Sequence, residues 1–153
     1  MSITVPGSVT GAAINGLTTP SFTVTADYAD ARVKQSYVSA LGGTQTGVVA
    51  HSADVPFVMK ITKPSTLRTL GIPNPLTGIV SNIPKNTYGL NFIKGVNVNA
   101  TNKAISQLRL VWDVPAGSVS QDLNSLKSML SFAAGAIYTL ADQLDDAVAN
   151  NSI

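Results

Sequence analysis

One change of period, at Pro115-Ala116-Gly117, divides this chain and restricts what it can fold into. Before that point the signals are those of strands. Val, Thr and Ser are abundant, and Gly and Pro punctuate at short intervals. Phe22 to Ala26 alternates strand-fashion, after turns at Pro6-Gly7 and Gly11 to Gly16 that suggest an N-terminal hairpin. Arg32 to Leu41 forms a second candidate, with Gly42-Gly43 as its stop, and Thr46 to His51 a third. Val55 to Thr62 is clearer: Phe57, Met59 and Ile61 point one way, Val58, Lys60 and Thr62 the other. Pro64 closes it, and residues 64 to 86, with four prolines, read as a long loop. Tyr88 to Val98 can form a strand that turns at Asn99-Ala100-Thr101-Asn102 into a last one, Ala104 to Val114. There Leu108, Leu110, Trp112 and Val114 share one face, and Gln107, Arg109, Val111 and Asp113 the other.

After Gly117 the apolar period lengthens. Ser118 and Gln121 have the spacing of a capping box. Val119, Leu123, Leu126 and Leu130 then recur every three or four residues, as on one helical face. Gly135 is a plausible break, and Ile137, Leu140, Leu144 and Val148 make a second stripe. The expectation is one domain spanning 1–153: a β region over about 1–114, then a helical region over about 118–150. This is an α+β chain with segregated elements, an antiparallel sheet followed by two C-terminal helices. The helices have an apolar sheet face to cover, that of Phe57, Met59, Ile61, Leu108, Leu110 and Trp112. The face of Lys60, Gln107 and Arg109 stays open.

Charged residues make up only 12% of the chain, against about 25% in ordinary soluble proteins. So little charge suggests a surface largely covered by other copies or partners. What charge there is segregates. Between Ala31 and Trp112 nine basic residues stand against Asp54 alone; beyond Trp112, Lys127 stands against five aspartates. A basic middle and an acidic tail fit a body with one face toward a polyanion. Scattered solvated charge fits the same count. Arg32 and Lys34 share strand parity, and Lys60 and Arg109 lie on polar faces, so a phosphate-binding surface is within reach.

Little else carries chemistry. There is no cysteine and no glutamate, and one histidine, His51. Neither thiolate metal sites nor disulfides can form, and the motifs of hydrolases, zinc proteases and nucleotide-binding loops are missing. Gly42-Gly43-Thr44-Gln45-Thr46-Gly47 lacks the lysine of a phosphate loop and reads as a turn. No enzyme, cofactor, metal or small-molecule substrate is expected. No apolar run approaches the roughly 20 residues of a membrane helix, and the start of the chain does not read as a signal peptide.

The C-terminal third resembles the end of a levivirus-type coat protein, from single-stranded RNA bacteriophages. The resemblance rests on Leu108-Arg109-Leu110-Val111-Trp112-Asp113-Val114-Pro115-Ala116-Gly117-Ser118, on the helical segment Gln121 to Leu130, and on a closing Ala149-Asn150-Asn151-Ser152-Ile153. Phe57-Val58-Met59-Lys60-Ile61-Thr62-Lys63-Pro64 is similar to an earlier strand of that family. About 55 residues carry the likeness; the rest matches in style only.

The resemblance implies a homodimer whose two chains join edge to edge into one sheet. Their helices interlock, with Val119, Leu123, Leu126, Leu130, Ile137, Leu140 and Leu144 at the dimer interface. It further implies an icosahedral virion assembled in the bacterial host cytoplasm, with viral genomic RNA on the free sheet face. Lys60 matches an RNA-contacting lysine, and Val58 falls where a base-contacting polar residue often lies. Gln107 and Arg109 match a stacking tyrosine and a base-contacting asparagine. Thr62, Arg32 and Lys34 complete the expected RNA surface. The aromatic at position 107 is missing, which removes a stacking platform worth roughly 1–3 kcal/mol in single-strand binders. The rival reading is a self-assembling β-protein, such as a tail-tube, pilus or shell subunit, that needs no nucleic acid.

Overall fold

The computed structural model describes residues 3–151; Met1-Ser2 and Ser152-Ile153, which end two of the segments noted above, lie outside the described residues. Six strands form one antiparallel sheet in chain order: β1 (Ser8–Thr10), β2 (Leu17–Ala29), β3 (Val33–Gln45), β4 (Phe57–Thr62), β5 (Lys85–Asn97) and β6 (Lys103–Pro115). Every strand lies beside its sequence neighbour, across the long β4–β5 connection as across the short ones. The β5–β6 turn forms where the sequence places it. The Asn99 side chain accepts hydrogen bonds from the backbone N–H of Thr101 (3.0 Å) and Asn102 (2.7 Å), an Asx turn.

Two expectations in the β region fail, for one local reason. Gly42-Gly43 does not stop β3, which pairs with β2 as far as Gln45 opposite Leu17. Instead β2 slips register between Thr18 and Ser21, and the glycines let the bulged backbone come close. A Cβ on Gly43, at φ +73, would lie 2.1 Å from the Thr19 carbonyl oxygen. The turn falls later, at Thr46-Gly47, so Thr46 to His51 is not a strand. That segment is irregular and tied down by one backbone bond and two side chains. His51 N–H donates to Val38 O (2.9 Å), the His51 Nδ1 accepts from Phe57 N–H (3.0 Å), and Lys94 Nζ donates to Val49 O (2.5 Å). The single histidine is thus a structural brace.

Residues 64–84 form the expected long loop, an arm that doubles back on itself. Gly78 N–H donates to Asn74 O (2.8 Å), and Asn74 N–H to Ile79 O (3.0 Å). Its apolar tip is bare: Ile72 is 96% exposed and Leu76 94%.

The helical region breaks at other places than expected. α1 (Ser118–Gln121) is a single turn, α2 (Leu123–Thr139) runs on, and α3 (Ala141–Asn150) follows. Ser118 is not a capping-box residue: Gly117 holds the N-cap position at φ 88, and Ser118 Oγ donates back to Pro115 O (2.6 Å). The long helix is capped instead by Asp122, whose carboxylate accepts from Ser125 N–H (3.2 Å). Gly135 sits inside α2 in open space and breaks nothing; the break comes at Leu140.

The core of this chain is thin. Pro20, Val38, Val58, Val114 and Ala116 are its buried apolar side chains among those described, and no residue of α1, α2 or α3 is buried. A chain of this length normally buries well over half of its unfolded surface.

Candidate functional site

Strand register sorts the sheet into two unlike faces, because residues directly opposite one another project the same way. On one face Met59 lies opposite Phe92 and Phe92 opposite Leu108; Ile61, Leu90 and Leu110 form the next row, and Tyr88 pairs with Trp112. This is the apolar face. Val119, Leu123, Leu126 and Leu130 border a recess of about 220 Å³ with Tyr88, Trp112 and Val114, so the helices begin on this side. They cover only its corner. Leu108 remains 53% exposed, and the Trp112 Nε1 is enclosed without a hydrogen-bond acceptor.

The other face carries a polar row across four strands: Gln35 opposite Lys60, Lys60 opposite Asn91, Asn91 opposite Arg109. The Arg109 guanidinium is held by its own strand, donating from Nε to Gln107 Oε1 (3.0 Å) and from a terminal nitrogen to the same oxygen. Gln107 therefore orients Arg109. Asn91 Oδ1, between the two cations, is enclosed and has no partner. The next row is Tyr37, Val58, Ile93 and Gln107, and Val33, Thr62, Gly89 and Val111 form the row on the opposite side.

The structure gathers some of the residues singled out above and separates others. Lys60, Gln107 and Arg109 come together on the open face. Thr62 joins them, its hydroxyl donating to Gly89 O (3.4 Å). Val58 is on this face but only 7% exposed, so it lies beneath the surface rather than on it. Lys34 is a correction: it lies opposite Ile61, on the apolar face, with its Nζ donating to Ile3 O (2.6 Å). It cannot act with Lys60, because it is Gln35 that occupies the row of Lys60. Arg32 is not in a strand at all. It sits in the β2–β3 turn, where the Asp30 carboxylate accepts from the N–H of Arg32 (2.6 Å) and Val33 (2.7 Å). Those two bonds hold the Asp30 carboxyl below the usual carboxylate range.

Three residues of this face escaped the sequence reading. Gln35 and Asn91 carry no signal until the register aligns them with Lys60. Tyr37 had one: it has the opposite parity to Lys34 in its strand. Its ring lies 5.0 Å from that of His51, so this face does carry an aromatic, three strands away from the position where one was missed.

The helical residues are left bare. Val119 is 56% exposed, Leu130 52% and Leu144 51%; Leu123, Ile137 and Leu140 are exposed as well, and Leu126 is half-buried. Together with β6, the last strand in the sheet order, they form a surface one chain does not satisfy. Among the described residues no group of histidine, cysteine and acidic side chains could hold a metal ion, and no helix is long and apolar enough to cross a membrane.

No family model and no curated protein matches this chain. A solved structure does. The chain is similar to the virus-like particle of bacteriophage ESE020, with 37% identity and a TM-score of 0.93 over 99% of this chain and 100% of that one.

Proposed function

The chain belongs to the bacteriophage coat-protein family that builds virus-like particles, and on that premise we propose that it works as a homodimer which closes into an icosahedral shell around viral RNA. It is a structural protein of the virion and not an enzyme. The finer reading rests on one observation, the sidedness of the sheet: one face is apolar and uncovered, the other bears the row Gln35, Lys60, Asn91 and Arg109.

Edge strands that are long and unprotected recruit other strands. β6 has 13 residues and a free outer edge, so two copies of it pair across a two-fold axis. That pairing brings each chain's helices to the other's sheet, where their stripes cover Leu90, Phe92, Leu108 and Leu110 and the partner supplies what Trp112 Nε1 lacks. Each Leu or Ile taken fully out of water contributes roughly 1.5–3 kcal/mol, so the helical stripes alone make the association obligate.

The polar face then looks into the particle and meets RNA. Lys60 and Arg109 neutralise phosphates, and Tyr37 offers a ring for stacking. The particle-forming neighbour favours a closed shell over a tube or pilus.

The test is electron microscopy of the protein expressed alone in bacteria, with absorbance at 260 and 280 nm on the same fraction before and after nuclease. Uniform closed particles with an RNA-like spectrum are the expected result. Particles without nucleic acid would leave the shell and remove the RNA; small soluble species would remove both.

A further inference from the structure

We infer that a second anion site lies off the polar row, at the foot of the 64–84 arm, where Arg68 and Lys85 hold phosphates of the RNA strand without reading its sequence. The inference rests on the RNA reading above and extends it to a place that reading does not include.

The site is a cleft of about 490 Å³ between the root of the arm and the start of β5, lined by Pro64, Ser65, Thr66, Arg68, Lys85, Asn86 and Thr87. Neither cation in it is spent. Among the described residues Arg68 and Lys85 have no ion pair and no side-chain hydrogen bond. Their placement is fixed by a buried side chain. Asn86, 8% exposed, accepts from Arg68 N–H at Oδ1 (2.8 Å) and donates from Nδ2 to Arg68 O (3.0 Å). One amide thus makes the two bonds a neighbouring strand would make, and it pins Arg68 beside Lys85.

Two of the residues that line the cleft lie on the face of the polar row. β5 pairs with β6 without a register slip, so Lys85 and Thr87 project on the same face as Asn91. Lys85 is six residues from Asn91 along the strand, about 20 Å at 3.3–3.4 Å per residue, a distance a short run of single strand spans. Two further cations stand at this end, since Lys63 N–H donates to Arg32 O (2.9 Å) and so brings the β2–β3 turn to the root of the arm. Two carboxylates oppose them: Asp113 at the margin, which accepts from the Thr87 hydroxyl (2.5 Å), and Asp30, which sits beside Arg32 in that turn.

The chemistry selects phosphate over base. The lining offers two cations and the hydroxyls of Ser65 and Thr66, with no ring to stack on. Arg matches phosphate oxygens with its planar fork, and Lys adds a point charge. Such contacts supply affinity and carry no sequence information.

The test uses a fluorescein-labelled oligouridylate and an oligoadenylate, titrated over a range of salt against dimers released from the particle and freed of RNA with nuclease. Each phosphate neutralised on a single strand contributes about 0.7 to the slope of log K against log salt. The double variant Arg68→Gln, Lys85→Gln is expected to flatten the slope by about 1.4 for both oligomers alike. Lys85→Gln alone, at an exposed strand end, should flatten it by about half as much, and Arg68→Lys should keep most of it. An unchanged slope in variants that still assemble would overturn the site while leaving Lys60 and Arg109 in place. If the unaltered protein binds neither oligomer at any salt, the RNA reading itself fails and the cleft falls with it. Lost assembly with unchanged slope would also overturn the assignment, putting an acidic segment of another copy in the cleft.

Discussion

At Gly43 a single methyl group decides whether two strands can close. Its backbone has φ +73 and an added Cβ would meet the carbonyls of Thr18 and Thr19. Gly43→Ala should therefore destabilise the fold by roughly 1–3 kcal/mol, the usual cost of backbone held in a sparse region, read as a lower denaturant midpoint. The same change at Gly135, where a Cβ meets nothing, should stabilise α2 by up to about 1 kcal/mol. At the polar row, replacing Lys60 and Arg109 with alanine removes charge from a surface that no other element packs on. RNA affinity should fall and the salt slope flatten by about 1.4, as for two single-strand phosphates, with the dimer intact by sedimentation. Retained affinity and slope would move the RNA elsewhere. Val58 is a poor target for such a test, because it is buried and its loss would be felt as packing.

Among the elements, α2 depends on a titrating cap. Hydrogen bonds from the Ser125 side chain, then its backbone N–H, hold the Asp122 carboxyl below its ordinary value. A carboxyl depressed in the folded state stabilises fully above its unfolded pKa of about 3.9. That contribution is lost as pH falls through the lower folded value. Helical circular dichroism should thus weaken on acidification toward the folded value, and Asp122→Asn, which keeps the cap oxygen, should make that part of the profile flat. A helix signal equally acid-sensitive in Asp122→Asn would remove the cap as its cause. The arm is the other element with a property of its own. Ile72 and Leu76 at its tip are almost wholly exposed, so Leu76→Asp disturbs nothing within the chain. If another copy covers the tip in the shell, as so much bare apolar surface implies, that variant should give dimers that fail to close into particles.

For the whole molecule, the thin core and the bare helices predict that folding and association are one event. The midpoint of thermal unfolding should rise with protein concentration, and a dilution of about a hundredfold should lower it measurably. A concentration-independent midpoint, or a folded monomer at micromolar concentration, would end the idea of an obligate dimer.

Much of this was legible in the chain because periods of two and of three to four residues are written in the order of side chains. The strands at Phe57 and Lys103, the Asn99 turn, the long loop and the change to helix at Gly117 all follow from local pattern, as does the segregation of Lys60 and Arg109 from Met59 and Leu110. What the pattern could not determine was anything set by a second segment. β3 passes through Gly42-Gly43 because β2 bulges against it. Lys34 turns away from Lys60 because β3 meets β4 in one register and not its neighbour. Asn91 joins the polar row for the same reason, and Asn86 braces Arg68 from 18 residues away. Local sequence fixes which faces a segment has. Which residues share a face across strands depends on register, and register is settled only when distant strands pair.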